Sequence, residues 1–523
     1  MANRNILLIE PGYKNKYPPL GLMKIAQYHG EMGKNDLVKF LKGEDKSVLS
    51  FAWDRIYITS LFSFEWKKTA DSINFALKAA NGHADRIFVG GIAASLMNEA
   101  FKAEPSWRGI RFIQGLLDNA PAISLQLDDF SEELYSDDYE STPIEFLTPD
   151  YSILEQIDYD YSVTDAYFTY ASRGCVRSCK FCGVPKLEGK QRDTDSISQV
   201  VGDIEKLYGP KKDLILMDNN VTASGKFKEI MAEIRDLGFQ KGATLTRNGT
   251  TAQRRVDFNQ GVDARILCKD PMFLQEMSTI CLSPLRIAFD HAGLRKPYET
   301  AIRFAADAGL SNLSNYMLYN FHDSPEDLYE RMKLNIHLNE ELGIRIFSFP
   351  MRYQPVDLKD RSHIGQKWNR YLLRSMQLIL QATHGIVSGA PSYFRRAFGD
   401  SESEFKELLA LPHKFIFNRT YYEELDGKPE LIEYKSEYAK LNDSEKEELV
   451  SLISDRLPKQ YPTAVNATKN SKIKKLIPFF YHLNGAVERK IWDQQAEYRK
   501  RAKVIEFVVP EDEKVEDAGL EVA

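Results

Sequence analysis

Three cysteines fall within eight residues, in the stretch Gly174-Cys175-Val176-Arg177-Ser178-Cys179-Lys180-Phe181-Cys182-Gly183. The spacing is C-x3-C-x2-C. Thiolates are soft ligands that suit iron–sulfur clusters or zinc. A structural zinc site closes on four ligands, and no fourth Cys or His stands within thirty residues of the trio. A cubane held by three cysteines leaves one iron open, and an open iron binds a small molecule and acts on it. A zinc half-site is the bland alternative. The other two cysteines, Cys268 and Cys281, stand alone and read as ordinary core or strand residues, because free cysteine is often buried.

The remaining candidates are polar clusters at the ends of apolar runs. Asp218-Asn219-Asn220, Asn259-Gln260, Asp290-His291 and the segment 320–323 each follow a strand-like stretch. Parallel α/β architectures gather their chemistry at the carboxyl ends of strands. Asp218, Asn219, Asn259, Asn320 and Arg352, with the aromatic Phe181, are therefore cavity candidates. Asp218 and its neighbours equally suit a helix cap. Asp290 and His291 suit proton handling or substrate binding, or a structural pair. Strand alternation puts Asn259, Gly261 and Asp263 on one face.

The elements that position these residues fall into blocks. Over residues 1–130, strand runs such as NILLI, RIYITSLF and RIFVGG alternate with helical stretches, which predicts a doubly wound, Rossmann-like parallel sheet. Its strand ends carry Pro11-Gly12, Ser60, Ser63, Gly90 and Gly91. Residues 131–165 are rich in Asp, Glu, Tyr and Pro without a period and read as a linker lying against a neighbouring surface. Over 166–356 the alternation resumes with six strand candidates, enough for a partial or full (β/α) barrel. Residues 357–503 read as mostly helical, and 504–523 as a flexible acidic tail. The fold class expected is thus α/β with a helical carboxyl-terminal domain.

The chain has 523 residues, 43% hydrophobic and 28% charged, with 69 Lys plus Arg against 75 Asp plus Glu and a net charge of −6. That balance is a folded protein's and excludes a globally basic coat for nucleic acid. No apolar run reaches the ~18 residues of a membrane span, so a soluble, cytoplasmic protein without a membrane partner is expected. The odd cysteine count is no disulfide framework. The basic runs at 469–475 and 489–503 read as solvated helix faces, and no RNA-binding module accompanies them, so nucleic acid is disfavoured as a partner.

The cysteine motif, with Phe181 before its last cysteine and a strand before its first, resembles the signature of radical S-adenosylmethionine (SAM) enzymes. LILMDNN at 214–220, LYNFHDSPED at 318–327 and IFSFPMRYQP at 346–355 resemble that family's second, fifth and sixth strand segments. Two features depart from it. The fifth segment lacks its glycine, and Phe289-Asp290-His291 stands where many relatives carry Glu-Ser. The amino-terminal block, through Pro11-Gly12, Pro18-Pro19-Leu20-Gly21-Leu22, Ser60, Ser63 and Gly90-Gly91, resembles the cobalamin-binding-like domain of one branch. The D-x-H-x-x-G segment that supplies a cobalt ligand in many B12 proteins is absent.

The resemblance implies a 4Fe–4S cluster on Cys175, Cys179 and Cys182, SAM on the open iron, and reductive cleavage to a 5′-deoxyadenosyl radical. Phe181, Asp218, Asn219, Asn259, Asn320 and Arg352 would line the SAM or substrate cavity. Ser60, Ser63, Gly90 and Gly91 would approach cobalamin, if it binds, and methyl transfer to an unactivated centre would follow. Without cobalamin the outcome would be oxidation, rearrangement or cyclisation. The partners implied are a small-molecule or peptide substrate and an external electron donor such as a flavodoxin or ferredoxin. The rival of another class is a non-catalytic zinc or iron–sulfur protein.

Overall fold

The computed structural model describes residues 4–117, 144–194 and 196–505. Residues 131–143 of the expected linker and 506–523 of the expected tail lie outside the described residues.

The amino-terminal block is a five-stranded parallel sheet of β1 (Asn5–Glu10), β2 (Leu37–Lys42), β3 (Arg55–Ser60), β4 (Ile87–Gly91) and β5 (Arg111–Phe112), in the order β2-β1-β3-β4-β5. Residue alternation sends Ile6 and Leu8 to one face and Leu7 and Ile9 to the other, so the sheet is buried on both sides, as parallel sheets are. The helix Trp66–Ala79 covers the second face with Thr69, Ile73, Ala76 and Ala79, a one-face period. The helix Leu20–His29 covers the first. The chain runs from β1 to β2 on one side and then crosses back past β1 to β3 on the other. Their carboxyl ends part there, and such a crevice is where doubly wound sheets bind ligands.

Six parallel strands follow: β6 (Ala166–Thr169), β7 (Asp213–Leu216), β8 (Arg255–Phe258), β9 (Leu285–Arg286), β10 (Asn312–Tyr319) and β11 (Arg345–Arg352). They form two ladders, β6-β7-β8 and β9-β10-β11, stitched by the bridges Val256–Leu282 and Val262–Ile287. All six match strand candidates of the sequence. Among the described residues β6 and β11 are not paired, so this is a partial barrel. The helix Pro325–Leu342 shows how locally it is written. Ser324 and Asp327 form a reciprocal capping box, Pro325 opens the first turn, and Gly343 closes the helix at φ 62°. One feature was not expected above: an antiparallel hairpin, Thr244–Arg247 with Thr250–Gln253, turned by Asn248-Gly249.

Beyond β11 the regular elements among the described residues are helices. None in the described chain is long and apolar enough to cross a membrane. The helices up to about residue 416 join the barrel core through Trp368, Leu373, Met376, Phe394 and Phe405. The later ones form a separate tyrosine-rich core with Tyr422, Tyr434, Leu449 and Ile473.

Candidate active site

The cysteine loop leaves the carboxyl end of β6 and is pinned from several sides. Asp218, just past β7, accepts the Ala171 N–H at 2.9 Å and the Ser172 hydroxyl at 2.6 Å. Glu188 accepts the Gly174 N–H and the Asn219 side-chain amide, both at 2.8 Å. Gly174 has φ 76°, and a Cβ there would stand 2.2 Å from the Lys190 carbonyl oxygen. Inside the loop, Arg177 Nε pairs with Asp263 at 2.6 Å, and Asp263 also holds Arg265 Nε at 2.8 Å.

Cys175, Cys179 and Cys182 are free thiols, each partly exposed, and all three line one cavity of about 2290 Å³. Burial pushes the Cys179 and Cys182 thiols up. Neighbouring Cys175 adds to both, and Arg265 pulls Cys179 back. The backbone N–H groups of Arg177 and Val184 point at the sulfurs of Cys175 and Cys182, at 3.4 and 3.5 Å, the donors a thiolate accepts. Among the described residues no three His, Cys, Asp or Glu side chains close on a single metal ion. The donor set is three thiols on one pinned loop, facing shared space. It fits a cubane, which gives each cysteine an iron of its own.

The cavity lies between the amino-terminal sheet and the barrel mouth. Its wall includes Ser60, Gly90 and Gly91 from the sheet and Phe181, Asn219, Asn259, Asp290 and Arg352 from the barrel. It is well above the ~300–1,000 Å³ of a pocket for one drug-sized ligand. Tyr17, on the loop after β1, reaches across and donates to Asn259 at 2.7 Å, joining the two halves. Burial raises the Asp290 carboxyl to about 6, against the pull of Arg331 and Arg265.

Several expected residues stand elsewhere. Asp218 is not on the cavity wall; it is buried and holds the start of the cysteine loop. Asn320 is also buried, at φ 69°. It donates to the Tyr353 and His363 carbonyls and accepts the Gly365 N–H at 2.7 Å, so it fastens the strap after β11. His291 is exposed and off the wall, because the chain turns there into Ala292–Leu294. Ser63 starts the turn Ser63–Glu65 and is not on the wall. Ser60 borders the cavity, but its hydroxyl donates to Gly90 O at 2.7 Å and accepts the Ala94 N–H at 2.8 Å. Gly91 is a glycine for a backbone reason: at φ 95° a Cβ would lie 2.6 Å from Ser60 O.

Sequence reasoning missed Tyr17, Arg265 and Arg331. Arg331 is 2% exposed and donates to the carbonyls of Phe289 and Leu318, each at 2.9 Å, and to Asp323. It holds the ends of the fourth and fifth barrel strands together. Its only signal was a charge on the apolar face of a helix.

No family model matches the chain. It is similar to an uncharacterized methyltransferase of Synechocystis sp., 26% identical over 215 residues. That match takes in 40% of this chain and 37% of the relative, so the chain spans little more than a third of that relative's length. Among solved structures it is similar to TsrM from Kitasatospora setae, a radical SAM methyltransferase. The form with cobalamin and a 4Fe–4S cluster bound has TM-score 0.46 and 12% identity, over 68% of this chain and 78% of that one. The form with tryptophan substrate and a SAM analogue has TM-score 0.47 and 13% identity, over 68% and 76%. Streptococcus suis SuiB bound to SAM has TM-score 0.28 and 10% identity, over 42% and 47%.

Proposed function

We propose that this chain is a radical SAM enzyme that transfers a methyl group to an unactivated centre, with cobalamin on its amino-terminal sheet. One observation carries the reading. Three thiols on a pinned loop, at the carboxyl end of the first barrel strand, open into the same cavity as the switch-point edge of the sheet. The curated relative's description as a methyltransferase points the same way over the part it matches. In this reading residues 1–130 are the cobalamin-binding-like domain, 166–356 the barrel and 357–503 the helical domain.

A 4Fe–4S cluster on Cys175, Cys179 and Cys182 supplies an open iron and a low-potential electron for reductive cleavage of SAM, and cobalamin supplies a methyl carrier. The protein's own residues hold and orient. Asp263 anchors the loop through Arg177. Asn219, held by Glu188, and Asn259, held by Tyr17, border the barrel mouth. Gly90 and Gly115 leave the sheet edge low enough for a flat ring to approach the backbone. Asp290, whose carboxyl burial raises, can hold a proton within the cavity. Tyr17 bridges the two halves. The electron comes from an external donor of the flavodoxin or ferredoxin class, and the substrate is a small molecule or peptide that fits beside both cofactors.

Anaerobic reconstitution tests this. The wild type is expected to hold about four irons, and Cys175→Ala, Cys179→Ala or Cys182→Ala to lose the cluster and all SAM turnover. Stoichiometric zinc with no SAM turnover would sink the proposal. Hydroxocobalamin titrated against the absorbance of the free corrinoid tests the second cofactor. Were it not to bind, a cobalamin-free radical reaction would be left. The engaged Ser60 hydroxyl is the observation that favours that alternative.

A further inference from the structure

One wall of the cavity carries polar groups that meet no partner. It is built by the end of β11 and the strap after it. Tyr353 N–H still donates to Tyr319 O at 2.8 Å, so the chain is extended there, and Arg352 and Gln354 leave from the same face. Both line the cavity. Gln354 Nε2 and Oε1, and Nε of Arg352, are buried without a hydrogen-bond partner. Leaving a buried polar atom unpaired costs about 1–3 kcal/mol, and three such atoms lie along this one wall.

Arg361, on the strap, completes this wall. Its carbonyl oxygen accepts from Arg352 Nη2 at 3.0 Å, and its guanidinium lies 4.2 Å from the Phe64 ring centre. Among the described residues neither arginine has a carboxylate within ion-pair distance. Glu65, the acid that Arg361 feels, is paired with Lys68 at 3.0 Å. Burial pushes both guanidinium groups down, and Arg352 repels Arg361. Two partly buried cations on one wall without a counter-charge favour an anion. Planar guanidinium forks match carboxylate and phosphate oxygens.

We propose that this wall is the oxyanion subsite of the substrate, seating a carboxylate or phosphate between Arg352 and Arg361, with the Gln354 amide donating to it and accepting from a donor on the same ligand. The proposal rests on reading the cavity as the reaction chamber. It makes the substrate an anion. SAM carries a carboxylate and cobalamin a phosphodiester, so the experiment must tell the three sources apart.

Inorganic phosphate and 3-phenylpropionate are titrated calorimetrically into the reconstituted protein, with SAM and hydroxocobalamin titrated separately. The wild type binds at least one of the two probe anions. Arg361→Gln and Gln354→Leu each weaken that binding tenfold or more and leave SAM and hydroxocobalamin within twofold. Gln354→Leu also raises the thermal midpoint without ligand, since it removes an unpaired buried amide; a residue that merely holds the fold would lower it. A wild type that binds neither probe, or variants that bind as well as wild type, overturns the proposal. Equal weakening of SAM or hydroxocobalamin also overturns it, because the anion is then a cofactor's. Iron content is measured on the same samples. A chain that holds no iron yet binds a probe through Arg361 keeps the subsite and loses the cluster, so the two readings fail separately.

Discussion

The Asp218 carboxyl, buried against the start of the cysteine loop, is raised to about 6 by burial, with the Ser172 and Ala171 hydrogen bonds pulling it down. A raised carboxyl binds its proton more tightly in the folded state. Stability is therefore full below the unfolded value of 3.8 and is lost as pH rises through about 6. The loss attributable to this group is on the order of 2–3 kcal/mol. Asp218→Asn removes the titration and can still accept from Ala171 while donating to the Ser172 hydroxyl. Its denaturation midpoint is expected to vary less between pH 4 and 7 than that of the wild type, as chemical melts at several pH values would show. The cysteine trio stands out in the sequence because its spacing alone marks a candidate soft-ligand set. Asp218, Asn320 and His291 were not legible, since an Asp or Asn at a strand end serves equally as a ligand or as a fastening for the next loop. Only the partner atoms separate those roles. Arg361 lies on a strap without a period, and no pattern marks such a residue.

At the scale of elements, glycines make the sharpest expectations. Gly174→Ala keeps every thiol. It places a Cβ 2.2 Å from Lys190 O, in a left-handed conformation that itself costs about 1–3 kcal/mol. The loop must shift, and iron incorporation is expected to fall severalfold while the circular dichroism stays native. Gly91→Ala meets Ser60 O at 2.6 Å and is expected to lower the melting temperature without changing iron content, because it strains the sheet and not the loop. The parallel strands were readable from apolar runs bounded by turn residues. The hairpin at Asn248-Gly249 shows the limit. Its turn dipeptide is a strong signal, but its strands are mostly exposed and carry no apolar run to draw attention.

For the whole molecule, burial divides the chain differently from composition. One face of the amino-terminal sheet, the segment with Ile144, Tyr151 and Ile153, the barrel, and the helices to about residue 416 share a continuous core. Val387 even pairs with Ser348 on the outer edge of β11. Residues 357–416 read as part of a separate helical region because their period is helical, whereas most of their buried apolar side chains belong to the barrel core, Tyr371 and Phe415 joining the later one. Truncation after Asn418 is expected to leave a chain that melts cooperatively and still takes up iron. Truncation after Val356 strips Trp368, Leu373, Met376, Phe394 and Phe405 from the core, each worth about 1.5–3 kcal/mol, and is expected to yield aggregated protein. Limited proteolysis and gel filtration would separate the two results.

Six strands that stop short of a ring leave a seam between the first and the last. A sealed cylinder admits guests of one girth, fixed by its ladder of backbone bonds. A split one has no such ring of bonds, so the girth of what enters is set by what borders the gap, the Val387 pairing with Ser348 on the last strand included.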